Sequence, residues 1–321
     1  MPRFNDRIGI YYEHPQWFAP LFAQLERQGT PFVRLNATEH HFDPASLNGE
    51  GRLALVVNRM SPSAWRRGHA QSIFYTHDYL AHLERHGTRV INGGRAFRYE
   101  TSKALQLALL EELGLPYPKA RVINHASQAP VAAEGLRFPI IVKPNIGGSG
   151  AGIRRFDTPR ALAQAAAGND IELGLDHTAL VQEFAPARGG HIVRVEVLGG
   201  HFLYAIKVFL TGDTFNLCPA DICQPGREPA AAACPAEVTR TSVEAFTPPP
   251  EAVAEVEHMV AEAGIDVGGV EYLVDDRDGQ RLYYDINALS NFISEGERVV
   301  GFDPYAKLAR WLADQAAEAA A

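Results

Sequence analysis

The sequence predicts an α/β (α+β) fold, with a parallel sheet at its amino-terminal end and antiparallel hairpins behind it. Two patterns and the length predict it. Strand-like runs alternate with helical ones over the first 95 residues, which implies a parallel sheet with crossover helices. Further along, apolar runs come in pairs joined by Gly-Gly or Asp-Gly turns, the pattern of hairpins. The 321 residues, 46% hydrophobic and 21% charged, suit an ordinary globular chain of two or three units with an ample core.

Taken in order, RIGIYY (7–12) reads as a strand, followed by a helix around Trp17 to Gln28, a stop at Gly29, and a strand PFVRLN (31–36). LALVVNRM (53–60) is a third strand, a helix follows near 71–86, and RVIN (89–92) closes a first domain near residue 95. In such sheets the ligand-facing loops lie at the carboxyl ends of the strands, which here carry Glu13, His14, Asn58, Arg59 and Ser61. Ordinary loop polarity and surface pairing is the alternative for His14 and Arg59. From Tyr99 to Leu113 the pattern is a capped amphipathic helix, with Thr101 or Ser102 as cap and Gly114 at the stop. Lys103 sits in its first turn, where an acid would suit the helix dipole better, so an anion nearby or simple solvation must account for it.

The stretch FPIIVKPNIGGSGAGIRRF (138–156) is an apolar run ending in Lys143, a loop with Gly147, Gly148, Ser149, Gly150 and Gly152, and a second extended run. Glycines let backbone N–H groups approach an anion, and a lysine at the strand end adds charge. The P-loop and Rossmann spacings do not fit, because the helix comes only after the second run, capped by Asp157 or Thr158. The loop therefore joins two strands and suits a flap over a triphosphate; a glycine-rich hairpin turn without chemical role is the alternative. After a helix at 159–167 come ALVQEF (179–184) and a hairpin over 191–208 turning at Gly199 and Gly200. Val193, Val195 and Val197 share one face of it and Arg194 and Glu196 the other, with Lys207 on the return strand. Residues 211–250 read as a long irregular loop containing Cys218, Cys223 and Cys234, taken as reduced thiols in preference to a metal or catalytic set.

A helix from Glu251 to Ala263 leads into VGGVEYLV (267–274) and the returning strand RLYYDINALSNF (281–292); a final helix over 303–319 ends in a fraying alanine-rich tail. Asp285 and Asn287 point to one face of their strand and the neighbouring strand can bring Glu271 alongside, an oxygen set that suits magnesium. A surface hairpin with scattered acids is the alternative. The net charge of −8 and dispersed basic residues argue against a nucleic-acid surface. No run approaches the roughly 18 apolar residues of a membrane span and none has the pattern of a signal peptide, so a cytoplasmic enzyme is the expectation.

In this order the elements resemble the ATP-grasp carboxylate-amine ligases, and most closely the RimK and glutathione-synthetase-like group, over roughly residues 95–315. The resemblance implies an ATP-grasp fold behind an amino-terminal parallel pre-ATP-grasp domain, divided as 1–95, 96–185 (the small flap subdomain) and 186–321 (the large subdomain with the magnesium site). It makes Lys103 the first nucleotide lysine, Lys143 with GGSGAGI the second lysine and flap, and Gln182, Glu183, Phe184 and Ala185 the hinge that binds the base and ribose. Glu271, Asp285 and Asn287 become the magnesium ligands, and Arg194 with Lys207 the cations that hold the acyl phosphate. The implied cofactors are ATP and Mg2+, two ions of it with Mn2+ as a substitute. The implied partners are a small carboxylate and an amine, an amino acid or peptide, with a homo-oligomer compatible.

Several positions depart from the family pattern. Ile192, beside His191, stands where an aspartate is usual, and Lys207 lies about one position from the family's basic residue. An arginine is missing around Thr214 and Phe215, although Asn216 is retained, and the two acids are exchanged in length, Glu271 for Asp and Asp285 for Glu. NALSNF replaces Asn-x-x-Pro-Gly and CPADIC is additional, so the acceptor does not carry over from the resemblance. The implied reaction is phosphorylation of a carboxylate by ATP followed by attack of an amine on the acyl phosphate. A small-molecule kinase of the same fold and a nucleotide-binding module without turnover are the alternatives.

Overall fold

Three sheets carry the chain, and each answers to the side-chain pattern of its strands. The computed structural model describes residues 5–46, 53–148, 150–210, 242–293 and 295–320. In the first sheet β1 (Asn5–Tyr12), β2 (Phe32–Asn36), β3 (Leu53–Arg59) and β4 (Arg89–Ile91) run parallel in the order β2-β1-β3-β4. β3 is buried at every position, as a parallel strand covered on both faces must be. Helices α1 (Ala19–Arg27) and α2 (Ala70–Arg85) contribute to two separate clusters, Leu21 and Leu25 packing with Ile8 and Ile10, and Ile73 and Leu80 with Tyr11 and Val56.

Helix α4 (Lys103–Glu112) is the helix expected behind a cap at Thr101 or Ser102, and a further helix, α3 (Gly94–Glu100), precedes it. The break has a local cause: Ser102 leaves the helical region at φ −145° to cap α4, its Oγ accepting from the Leu105 N–H at 3.2 Å. The second sheet has the order β5-β8-β6-β7 and is antiparallel, from β5 (Ala120–Ile123), β6 (Ile140–Pro144), β7 (Arg154–Phe156) and β8 (Ala179–Glu183). β5 was not expected, because it is an edge strand whose Arg121 and Val122 are both exposed, without a clean alternation. The short helix α5 (Ala129–Ala132) follows it, and α6 (Pro159–Ala167) is capped by Thr158, which accepts from the Ala161 N–H at 3.2 Å.

The third sheet, β11-β10-β9-β12-β13, is built from β9 (His191–Leu198), β10 (His201–Phe209), β11 (Val243–Phe246), β12 (Val267–Val274) and β13 (Arg281–Asn287). One face is apolar: Val193, Val195, Val197 and Val270 pack against Leu107 and Leu110 of α4 and Val256, Met259 and Val260 of α7 (Pro250–Ala263). The other face carries Arg194, Glu196, Glu271 and Asp285, and that alternation aims the polar set at the cleft described below.

β11 and the start of α7 fall inside the stretch expected to be irregular, while Cys218, Cys223, Cys234, Asn216 and CPADIC lie outside the described residues. The last hairpin strand ends at Asn287 rather than Phe292, and α8 (Gly296–Val300) was not foreseen. Helix α9 (Pro304–Ala320) stays helical to Ala320, as alanine favours, and returns Leu308, Leu312 and Ala316 to the cluster of Ile8 and Ile10 on the first sheet.

Candidate functional site

A cleft of about 780 Å³ is lined from all three sheets, within the size range of small-molecule sites. Lys103, Lys143, Gly147, Gly148, Gly150, Gln182, Glu183, Phe184, Ala185, Arg194, Glu271, Asp285 and Asn287 all line it. Ser149 lies outside the described residues, and Gly152 is not in the wall. At φ +74°, Gly152 instead lets the loop fold back on Pro144, whose Cγ a Cβ would meet at 2.7 Å.

Strand pairing assembles the centre. Arg194 on β9, Glu271 on β12 and Asp285 on β13 are direct register partners, so three charges stand in one row across three strands, with Asn287 two residues along on the same face. Arg194 donates from Nη1 to Glu271 Oε1 at 3.0 Å, from Nε to Glu196 at 2.7 Å and from Nη2 to Ser290 Oγ at 2.6 Å. Tyr284, the extra residue of a bulge in β13, donates its hydroxyl to Glu271 Oε2 at 2.8 Å.

Two lysines face this row. Lys103, in the first turn of α4, donates to Asp285, which accounts for a cation at the unfavourable end of a helix. Lys143 ends β6 almost fully buried, 3.5 Å from the Tyr284 carbonyl. Burial and the nearby Lys103 push the Lys143 ammonium down to about 7, against the pull of Asp285 and Glu271. Burial would lower Lys103 as well, but Asp285 outweighs it and holds that ammonium above its ordinary value. Burial would also raise the Asp285 carboxyl, yet Lys103, Lys143 and Arg194 keep it below the usual range. At Glu271 burial prevails over Arg194, and Asp285 adds to the rise.

The oxygen set fits a magnesium ion in kind. Among the described residues no three His, Cys, Asp or Glu side chains cluster, so two carboxylates and the Asn287 amide are what the row offers. Asn287 Nδ2 is buried without a partner among the described residues, and because the two ends of an amide are assigned from their surroundings, the same position serves equally as an oxygen facing a cation.

The glycine loop and the segment Gln182–Ala185 line the cleft. Gly148 sits at φ +151°, and a Cβ there would stand 2.5 Å from Ser63 Cβ, so only glycine lets the loop lie against the turn at Pro62–Arg67. In the segment Gln182–Ala185, Gln182 Oε1 is buried with no partner among the described residues, Glu183 accepts from the Arg137 N–H at 3.0 Å, and Arg155 lies 4.6 Å over the Phe184 ring. Ile192, where an aspartate was sought, is buried in the cleft wall beside Ala185 and Leu273.

Lys207 does not join the site. A bulge between Phe202 and Tyr204 advances the pairing by one residue, so Lys207 stands opposite Val193 on the far face of the sheet, 4.9 Å over the Phe246 ring. Of the strand-end residues, Ser61 lines the cleft, whereas Glu13 is taken up by Arg67 at 2.9 and 3.0 Å and by His69 at 2.5 Å. His14 stacks on Trp17, Asn58 binds the Asn92 carbonyl at 3.1 Å, and Arg59 donates to the Ser290 carbonyl at 2.5 Å. Sequence reasoning missed the support of Arg194 by Glu196 and Ser290 and the presence of Glu100 and Asn291 in the wall. Alternation had placed Glu196 with Arg194, but nothing local reveals that the chain bends after Asn287 to bring Ser290 beneath them.

No family model matches the chain. It is 29% identical over 139 residues to a probable alpha-L-glutamate ligase of Teredinibacter turnerae, covering 43% of this chain and 45% of that protein. It is 32% identical over 116 residues to a D-alanine–D-alanine ligase of Halorhodospira halophila, covering 34% and 37%. The chain thus matches less than half the length of either relative. Among solved structures, the ATP-grasp ligase PsnB, complexed with a phosphomimetic variant of a minimal precursor, Mg and ADP, superposes with a TM-score of 0.68 at 20% identity, over 98% of this chain and 99% of that one. A RimK domain ATP-grasp protein from Sphaerobacter thermophilus gives 0.67 at 19% identity, over 96% and 98%. The chain has the ATP-grasp fold, and its relatives by sequence and by structure are ATP-grasp ligases, the RimK-like group among them.

Proposed function

We propose that the chain is an ATP-dependent, ADP-forming carboxylate-amine ligase that makes an amide or peptide bond on an amino acid or small peptide through an acyl phosphate. The observation that carries this reading is the in-register row Arg194, Glu271 and Asp285 facing Lys103 and Lys143 beneath a glycine loop. Transfer of a phosphoryl group needs positioning and charge neutralisation more than covalent help, and this row offers both. Lys143, about half charged near neutrality, gains its proton fully once a polyphosphate lies beside it. Gly147, Gly148 and Gly150 present backbone to the phosphates, and the free Gln182 Oε1 suits an exocyclic amine of the base. Glu271, Asp285 and Asn287 would hold magnesium, as two ions with manganese as a substitute, which supplies charge neutralisation at the transferred group. Arg194 stabilises charge on the acyl phosphate and on the tetrahedral centre that follows.

On this reading the chain divides into units 1–95, 96–185 and 186–321, one sheet in each. Dependence on ATP fits a cytoplasmic setting; among the described residues no helix is long and apolar enough to cross a membrane. The names of the relatives, a glutamate ligase and a D-alanine–D-alanine ligase, support a substrate carrying an amino acid carboxylate. Purified protein given Mg-ATP and a panel of L- and D-amino acids and dipeptides should release phosphate and yield an amide identified by mass spectrometry. A phosphorylated alcohol as product would indicate a kinase instead, and tight ATP binding without ADP release a binding module. No phosphate release, together with unchanged ATP affinity in Lys143→Met, would falsify the reading.

A further inference from the structure

The cleft wall contains residues that nucleotide and phosphate binding leave unused: Glu100, Leu289 and Asn291, with Trp17 and Pro62 contributed by the first sheet's loops. Glu100 ends α3, is 9% exposed, and accepts a hydrogen bond from the Leu289 N–H at 3.0 Å, which brings the turn after β13 beside it. Asn291, 4% exposed, has its Oδ1 buried with no hydrogen-bond donor among the described residues. A buried polar atom left unpaired in a cleft wall points to a donor on a ligand. Lys103 donates to Asp285 and Arg59 to the Ser290 carbonyl, so both cations act on Glu100 through their charge and neither donates a hydrogen bond to it among the described residues.

A carboxylate and an amide oxygen in one wall suit a group that is positively charged and donates several hydrogen bonds, as a protonated primary amine does. We propose that Glu100 and Asn291 seat the amino group of the incoming amine substrate, bound as its ammonium and passing one proton to the Glu100 carboxylate before its lone pair attacks the acyl phosphate, with Trp17, Pro62 and Leu289 against its apolar part. This rests on the ligase reading above. Burial raises the Glu100 carboxyl to about 7, Asp285 adding to the rise while the Leu289 and Ala288 N–H groups and Lys103 oppose it, so the group is mostly ionised at pH 8.

The test compares two nucleophiles at pH 8 with Mg-ATP and the same panel of amino acid carboxylates: amino acid amines, which bind as ammonium, and hydroxylamine, which is uncharged and traps an acyl phosphate as the hydroxamate. Glu100→Gln and Asn291→Leu should each raise the amine concentration for half-maximal amide formation by at least about tenfold, the loss expected for a charge-assisted hydrogen bond. Hydroxamate formation should fall by a clearly smaller factor. Gln keeps an acceptor for the Leu289 N–H, and should Glu100→Gln still fail to fold, Asn291→Leu carries the test. Equal losses with both nucleophiles, or none with either, overturn the seat while leaving the ligase reading standing. Absence of both amide and hydroxamate from the unaltered protein overturns the ligase reading and the seat with it.

Discussion

Replacing Glu196 by leucine tests whether the row of charges is held from beneath. Glu196 is fully buried and accepts from Arg194 Nε at 2.7 Å and from Ser290 Oγ at 2.6 Å. Its removal strands a guanidinium nitrogen and a hydroxyl inside the wall. Breaking a buried ion pair by deleting one partner costs about 3–5 kcal/mol. With an unfolding entropy of about 2 cal/mol/K per residue, that loss lowers the melting midpoint of a chain this long by about 4–7 °C. The exposed pair Arg34 and Glu26 sets the lower end of the scale, since its side chains are 51% and 60% exposed and Glu26→Gln should cost less than about 1 kcal/mol. The triple variant Arg194→Met, Glu196→Leu and Glu271→Gln should recover part of the lost stability, because Arg194 is paired with both acids and no buried charge is then left facing a vacancy, while ATP turnover remains absent. Calorimetry of the parent, the single and the triple variant without nucleotide reads the effect. A Glu196→Leu midpoint within about 1 °C of the parent, or a triple variant less stable than the single one, would refute the reasoning.

Three further outcomes follow from the same geometry. Lys143→Met should weaken ATP binding about 10- to 100-fold by titration calorimetry, the scale of a lost charge-assisted contact. Because the folded ammonium is pushed down to about 7 from an ordinary 10.5, the unfolded chain holds that proton more tightly. Stability from this group is therefore present above 10.5 and lost as pH falls toward 7; the variant should flatten that slope, and proton uptake on ATP binding near pH 8, read in buffers of different ionisation enthalpy, should diminish. Lys207→Ala, on the far face over Phe246, should leave phosphate release within about twofold, the side chain contributing only about 0.5–1 kcal/mol of cation–π stability, whereas Arg194→Ala abolishes it. Gly148→Ala puts a Cβ 2.5 Å from Ser63 Cβ at a φ of +151°, so the loop must lift; nucleotide release measured by stopped flow should quicken about tenfold, and an unchanged rate would count against the loop as a cover.

Much of the cleft was legible because its signals are local. A lysine at a strand end, glycines in a loop between two strands, and Asp285 and Asn287 two apart on one strand need only the period of a β-strand to be placed. Capping named Ser102 and Thr158 as candidates for the same reason, and both proved to be the caps. Lys207 shows where local reading stops. Without the bulge after Phe202 it would share a face with Arg194; one extra residue in the ladder turned it to the opposite side, and no residue type in the stretch announces that bulge.

The sequence by itself determined a parallel front sheet, the hairpins behind it, and the two lysines, glycine loop and oxygen set that the cleft collects, since each follows from periodicity or short-range sterics. Only the tertiary structure decided which side chains meet across long separations. It seated Glu196 and Ser290 under Arg194 from segments 94 residues apart, leaned Gly148 on Ser63, returned α9 to the first sheet, and put Glu100 beside Leu289. Those contacts depend on strand register and on how helices cross the sheets, and both are set by burial of the whole core rather than by any neighbouring residue.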